Sequence, residues 1–324
     1  MKGFFTQGGT LLLKHPIDLS ELEPLLQDFG TSRRVTDSPT DDPTDWMMGG
    51  DRLIVSLQMD NNAAAAIDVV PQPWPDSMGD PKREAALFAS WSMGHFGPLA
   101  WPGGLERAIE HAWTWPEGRD IARSHTAFIR VKVSHVFGAS PEALIIPEDY
   151  DAVAELQQTT RLLLALAAHP AVIAWFNPNG ELLLPPAQAA EIVNWSEAHE
   201  LNPVDAWTNV RMLNLAGIAD EWMLMDTVGM GQVDATDMEA FFPAAQFDPS
   251  EVAGFLRSSS NYITTNGPVI KNNDTMDGPG EQRWQAYHYA ESFHVPSRPT
   301  LRWFPYGSNP PSVLVQEKSP LAAR

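Results

Sequence analysis

The 324-residue chain contains no cysteine, which excludes disulfides, thiolate-held metals and thiol nucleophiles together. It is also poor in positive charge: 21 Lys and Arg stand against 41 Asp and Glu, a net charge of -20. The field of such a surface repels phosphate backbones and anionic headgroups, so neither nucleic acid nor membrane is expected as a partner. The same acidity serves either solubility or attraction of a basic protein. No apolar run approaches bilayer-spanning length, and Met1-Lys-Gly-Phe-Phe-Thr-Gln-Gly-Gly9 lacks the continuous apolar core of an export signal. The expected location is cytoplasmic. What the chain has in quantity is apolar material, 44% of residues with 12 Trp and 14 Phe, enough for one large or two ordinary domains.

The clearest organising stretch is 125–176. In His125-Thr-Ala-Phe-Ile-Arg-Val-Lys-Val133, Ala127, Ile129, Val131 and Val133 share one face and Phe128, Arg130 and Lys132 the other, the pattern of a half-buried strand. Helical spacing follows over 148–169, Pro170 ends it, and Val172-Ile-Ala-Trp-Phe176 resumes as a strand. Upstream, Leu11-Leu-Leu13 is a strand candidate, and Asp18 with Glu21 has N-cap spacing ahead of the stripe Leu19, Leu22, Leu25, Leu26 and Phe29. Strands are expected over 53–59 and 64–70, a Pro- and Trp-rich insertion over 71–102, and helices over 84–91 and 105–115. Downstream the expected order is strand 172–176, helix 187–198, strands 208–215 and 221–227, helical segments over 236–265, and strands 282–289 and 301–304. Thr236 with Glu239, Asp248-Pro249 with Glu251, and the stop Asn266-Gly267-Pro268 support the helical reading there.

This order predicts an α+β protein of two tandem ferredoxin-like (βαββαβ) halves with antiparallel or mixed sheets. The expected boundaries are 1–140 for the first half, 141–170 for a connecting helix and 171–305 for the second half. Residues 306–324 are expected to be an extended or disordered tail. The His125 strand, Leu162-Leu-Leu-Ala-Leu-Ala-Ala-His169, Val172-Ile-Ala-Trp175 and Trp207-Thr-Asn-Val-Arg-Met-Leu213 give the chain a resemblance, over 71–305, to the bacterial domain-of-unknown-function family 4261. The resemblance implies bacterial origin and an intracellular role, and supplies no catalytic residues.

Motifs of common enzymes are incomplete. Ser90-Trp-Ser92-Met-Gly94 lacks the preceding strand that a nucleophile elbow needs and reads as a helix end. Val228-Gly229-Met-Gly231 has Asp234 where a phosphate cradle needs glycine and reads as a tight turn. Glu106, Glu110 and His111 lie on one helix without a metal-ligand motif and read as a solvated face. The stretch 272–280 has Met276 at a position where a calcium loop needs oxygen, and reads as a hairpin or loop turn. No cofactor, metal or catalytic residue is expected. Arg130 and Lys132 on a strand, with Arg211 on another and Asp68 between apolar neighbours, leave two readings open. One is a structural ion pair; the other is a pocket for an anionic ligand with His125 as acid or base. The tryptophans around the insertion, Trp91, Trp101 and Trp113 among them, are expected either to pack an irregular loop or, with Asp41 and Asp42 of the acidic loop, to meet a basic protein. The leading expectation is a non-enzymatic binding protein of immunity or adaptor type.

Overall fold

A computed structural model describes residues 2–30, 32–36, 46, 50–59, 61–137, 139 and 142–316. It divides the chain into two compact units, Met1–Trp195 and Ser196–Arg324. The first contains β1 (Gln7–Leu13), β2 (Ser32–Val35), β3 (Arg52–Ser56), β4 (Ala64–Val70), α1 (Ala85–Ser92), α2 (Gly104–Glu110), α3 (Gly118–Arg123), β5 (Ala127–Ser134), α4 (Ala152–Ala167), β6 (Val172–Asn177) and β7 (Leu182–Leu184). The unit boundary falls within α5 (Pro186–Ala198). The seven strands form one sheet in the order β2-β3-β4-β5-β1-β6-β7, and every neighbouring pair is antiparallel.

The alternation read in β5 holds, but the strand is buried on both faces. On one side Ala127, Ile129, Val131 and Val133 pack with Leu162, Leu163 and Leu166 of α4 and with Leu19, Leu22 and Leu26. Those three leucines lie on 3-10 turns that open with the expected capping box of Asp18 and Glu21. Gly9 permits this contact, because a Cβ there would lie 2.3 Å from Leu163 Cδ1. On the other side Phe128 packs with Trp74, Trp91, Phe96, Leu105 and Ile109. The Pro- and Trp-rich insertion thus forms a second covering layer, and that layer makes a half-buried strand a fully buried one.

The ferredoxin-like order is not what the sheet contains. That arrangement would put the first strand between the third and fourth of the set β1, β3, β4 and β5; instead β4 pairs directly with β5, and β1 lies between β5 and β6. The unit contains one split β-α-β element, β5-α4-β6, whose parallel strands are separated by β1. Pairing of Leu11 with Trp175 and of Leu12 with Ala174 draws β6 into the first sheet. The helix expected to connect two halves therefore lies inside the first unit.

The second unit contains α6 (Val204–Trp207), β8 (Asn209–Asn214), β9 (Trp222–Val228), β10 (Asp237–Pro243), α7 (Pro249–Asn266), β11 (Thr275–Gly278), β12 (Gln282–Tyr289) and β13 (Thr300–Pro305). Its sheet is mixed, in the order β11-β12-β13-β10-β9-β8, with β10 and β13 parallel. Helix α7 starts where Asp248 accepts the Ser250 N–H at 2.8 Å and stops at Gly267, whose φ of 76° suits glycine. The expected helix over 236–265 is a strand followed by a helix. The Thr236–Glu239 spacing resembles a cap, but Glu239 is buried in β10 and held by β13. The tail expected to be extended or disordered is docked over 306–316: Leu314 is buried and its carbonyl accepts from Arg302 Nη1 at 2.7 Å. Residues 317–324 lie outside the described residues. Among the described residues no helix is long and apolar enough to cross a membrane.

Candidate functional site

Side chains directed at backbone hold the insertion, Asp76 and His125 among them. Asp76 accepts the N–H groups of Leu105 and Glu106, each at 2.9 Å, and so fixes the start of α2; burial pushes its carboxyl upward. His125 Nε2 accepts the Trp74 N–H at 2.7 Å, and Nδ1 faces the Ala122 carbonyl. Both ring nitrogens are thus engaged by backbone, and burial pushes the imidazole pKa down. His125, expected as an acid or base, is a strut between the start of β5 and the insertion. Trp74 stands edge-on to Trp91, Phe96, Phe128 and Phe176 with centroids 5.1 to 5.9 Å apart. Trp91 is buried in this cluster, so it is corrected from partner contact to core. Trp101 and Trp113 are different: one precedes α2 and one follows it, and they are 50% and 44% exposed. Glu106, Glu110, Glu117 and Asp120 of the same segment are exposed as well, with Glu106 paired to Arg123.

The structure brings Arg130, Lys132 and Asp68 together. Asp68 faces Arg130 in the β4–β5 register and receives Arg130 Nε at 3.1 Å and Nη2 at 2.5 Å. Lys132 Nζ lies 3.6 Å from the same carboxylate, and Arg130 Nη1 donates to the Trp46 carbonyl at 2.6 Å. Burial opposes the charge on Asp68, but Arg130 and Lys132 outweigh it and hold the carboxyl below its usual range. Burial and then Arg130 bring Lys132 down to about 7, against the pull of Asp68. Asp41 and Asp42, expected near a partner, lie outside the described residues.

Arg211 belongs to the second unit, in a buried row that was not anticipated beyond Arg211 itself. Arg211, Asp226, Glu239 and Arg302 occupy successive register positions across β8, β9, β10 and β13. Arg211 Nε donates to Asp226 Oδ1 at 2.9 Å and Arg302 Nε to Glu239 Oε2 at 2.8 Å. Arg298 ties two carboxylates, reaching Asp226 at 2.8 Å and Asp237 at 3.1 Å. Burial opposes the charge on Asp226, yet Arg211 and Arg298 lower its carboxyl to about 2. Asp237 also accepts the Met230 N–H at 3.1 Å, so it occupies the Gly229 turn where a phosphate cradle would bind its ligand. The signal that singled out Arg130, a lone charge inside an apolar strand, also marks Asp226 after Leu224-Met225, Glu239 between Met238 and Ala240, and Arg302 between Leu301 and Trp303. Of the two readings open for these cations, ion pairing is the one the geometry contains.

The other motifs resolve structurally. Ser90 and Ser92 lie in α1, where Ser92 Oγ donates to the Phe88 carbonyl at 2.8 Å. The stretch 272–280 leads through the β11–β12 hairpin.

Residues 226–304 match the model of a family described as Domain of unknown function (DUF4261). The expected resemblance thus holds over this stretch, which runs from β9 to β13 and includes Asp226, Asp237, Glu239, Arg298 and Arg302; it was expected over 71–305. No curated protein and no solved structure matches the chain.

Proposed function

We propose that the chain is a cytoplasmic, non-enzymatic binding protein of immunity or adaptor type, and that its partner is a basic protein docked on the segment around α2. The observation that carries this reading is the division among the insertion tryptophans. Trp74 and Trp91 fill the core, whereas Trp101 and Trp113 stand exposed beside Glu106, Glu110, Glu117 and Asp120. A large ring with one N–H donor contributes most to binding when a partner desolvates it, and carboxylates around it favour Lys- and Arg-rich surfaces. The occupied nitrogens of His125 and the helical setting of Ser90 and Ser92 support a binding role over catalysis at those residues.

The test is affinity capture from native-host lysate at low and high salt, with wild-type chain and with Trp101→Ala/Trp113→Ala. The expected result is one near-stoichiometric basic protein, weakened by salt, whose retention falls at least about tenfold with the double variant. Retention unchanged by the substitutions, or no retained protein, would overturn this reading.

A further inference from the structure

Strand β5 ends at Ser134 and α4 begins at Ala152. Between them Leu144, Ile145 and Ile146 are 58%, 50% and 41% exposed in succession. Three consecutive branched aliphatic residues facing water form a patch that soluble chains ordinarily cover. The base of this loop is fixed. Tyr150 N–H donates to the Pro147 carbonyl at 3.2 Å, Tyr150 Oη accepts from Lys2 Nζ at 2.8 Å, and Asp151 caps α4 through Val153 and Ala154. His135 Nε2 meets Glu155 at 2.7 Å and joins the end of β5 to the first turn of α4. The apolar run is therefore displayed from an anchored base, which lowers the ordering cost of docking.

Charge selects the occupant. No Lys or Arg occurs between Lys132 and Arg161, and Glu142, Glu148, Asp149 and Asp151 are exposed around the run. Lys2 is placed against the loop by these contacts, and its Nζ is engaged by Tyr150. Carboxylates flanking an apolar peptide repel anionic lipid, and the net charge of -20 opposes a second copy of the chain. We infer that residues 142–149 are a second docking element, a short apolar peptide that enters a groove with an apolar floor and a Lys- and Arg-bearing rim on a protein partner. This stands on its own observation and goes beyond the tryptophan surface.

The test places a photo-crosslinking residue, p-benzoylphenylalanine, at Ile145 of the full chain in native-host cells, with exposed Gln246 as the control site. The expected result is an adduct at 145, absent at 246, whose crosslinked peptide carries Lys or Arg beside apolar residues. Its yield falls at least about tenfold with Leu144→Ser/Ile146→Ser and with Glu148→Lys/Asp149→Lys, while unfolding midpoints stay at the wild-type value. No adduct above the control, an adduct with lipid or with the chain itself, a target site without basic residues, or yields untouched by both double variants would overturn it. Capture with Trp101→Ala/Trp113→Ala is a separate readout, so failure of the loop and failure of the tryptophan surface are distinguished.

Discussion

In the first unit both faces of the sheet are covered by apolar side chains, and the buried Arg130 and Lys132 with the half-buried Asp68 occupy neighbouring positions of β4 and β5. In the second, Arg211, Asp226, Glu239 and Arg302 run across four strands of one sheet. The difference follows from what covers each face. Helix α4 and the helical insertion satisfy most of their own backbone groups and present apolar stripes. The charged row meets irregular chain instead, which brings carbonyls that need donors. Guanidinium groups supply them: Arg298 Nη1 donates to the Pro296 carbonyl at 2.7 Å and Arg302 Nη1 to that of Leu314 at 2.7 Å. Glu239 in turn accepts the Phe293 N–H. Arginine here serves as a connector between sheet and loop, with five donors in a rigid fork.

The contrast is broken most severely by Asp226→Ala, which leaves Arg211 and Arg298 without their shared carboxylate. It is expected to lower stability by about 3–5 kcal/mol in denaturant unfolding. An Arg211→Met/Asp226→Leu replacement, which leaves only Arg298 short of this carboxylate, is expected to cost less; equal damage would show that the stranded charge of Arg211 does not set the cost. Next comes Gly9→Ala in the first unit. The added Cβ meets Leu163, and the expected loss is about 1–3 kcal/mol by overpacking.

A third effect separates the units by pH. Burial opposes protonation of His135, but Glu155 and the Asn61 carbonyl raise its pKa above the usual value. Its contribution is fully present below the unfolded value near 6.5 and is lost as pH rises through the higher folded value. The denaturation midpoint of the first unit should therefore fall on the alkaline side, and His135→Gln should flatten that slope. Asp226 has the opposite sign. With its carboxyl lowered to about 2, its contribution is present above the unfolded value and fades as pH falls through the folded one. The smallest effect is expected for Trp101→Ala and Trp113→Ala, within about 0.5 kcal/mol of wild-type stability, despite the loss of partner retention proposed above.

The features legible in the sequence were those with local causes. The alternation of β5, the capping box at Asp18, the start at Asp248-Pro249 and the stop at Gly267 each depend on residues a few positions apart, and all four are present. Long-range features were not legible. Glu239 has helix-cap spacing from Thr236, yet Arg302, 63 residues away, holds it in a strand. Element order suggested two repeated halves but contains no statement of which strands pair, so the place of β6 beside β1 was hidden. At the candidate site, residue type marked the tryptophans and lone charges. It did not distinguish Trp91, inside the aromatic cluster, from Trp101, outside it. Nor did it show that both nitrogens of His125 would be taken by backbone groups.

The central position of β1 bears on how the chain is made. Thr6 N–H and Oγ1 both reach the Val133 carbonyl, which lies 127 residues later, and the strand that follows Thr6 is flanked by β5 and β6. At ribosomal rates of about 5–20 residues per second, Leu11-Leu-Leu13 emerges roughly 6–25 s before its first neighbour is synthesised. During that interval it is an apolar segment with open backbone groups, a natural substrate for a nascent-chain chaperone.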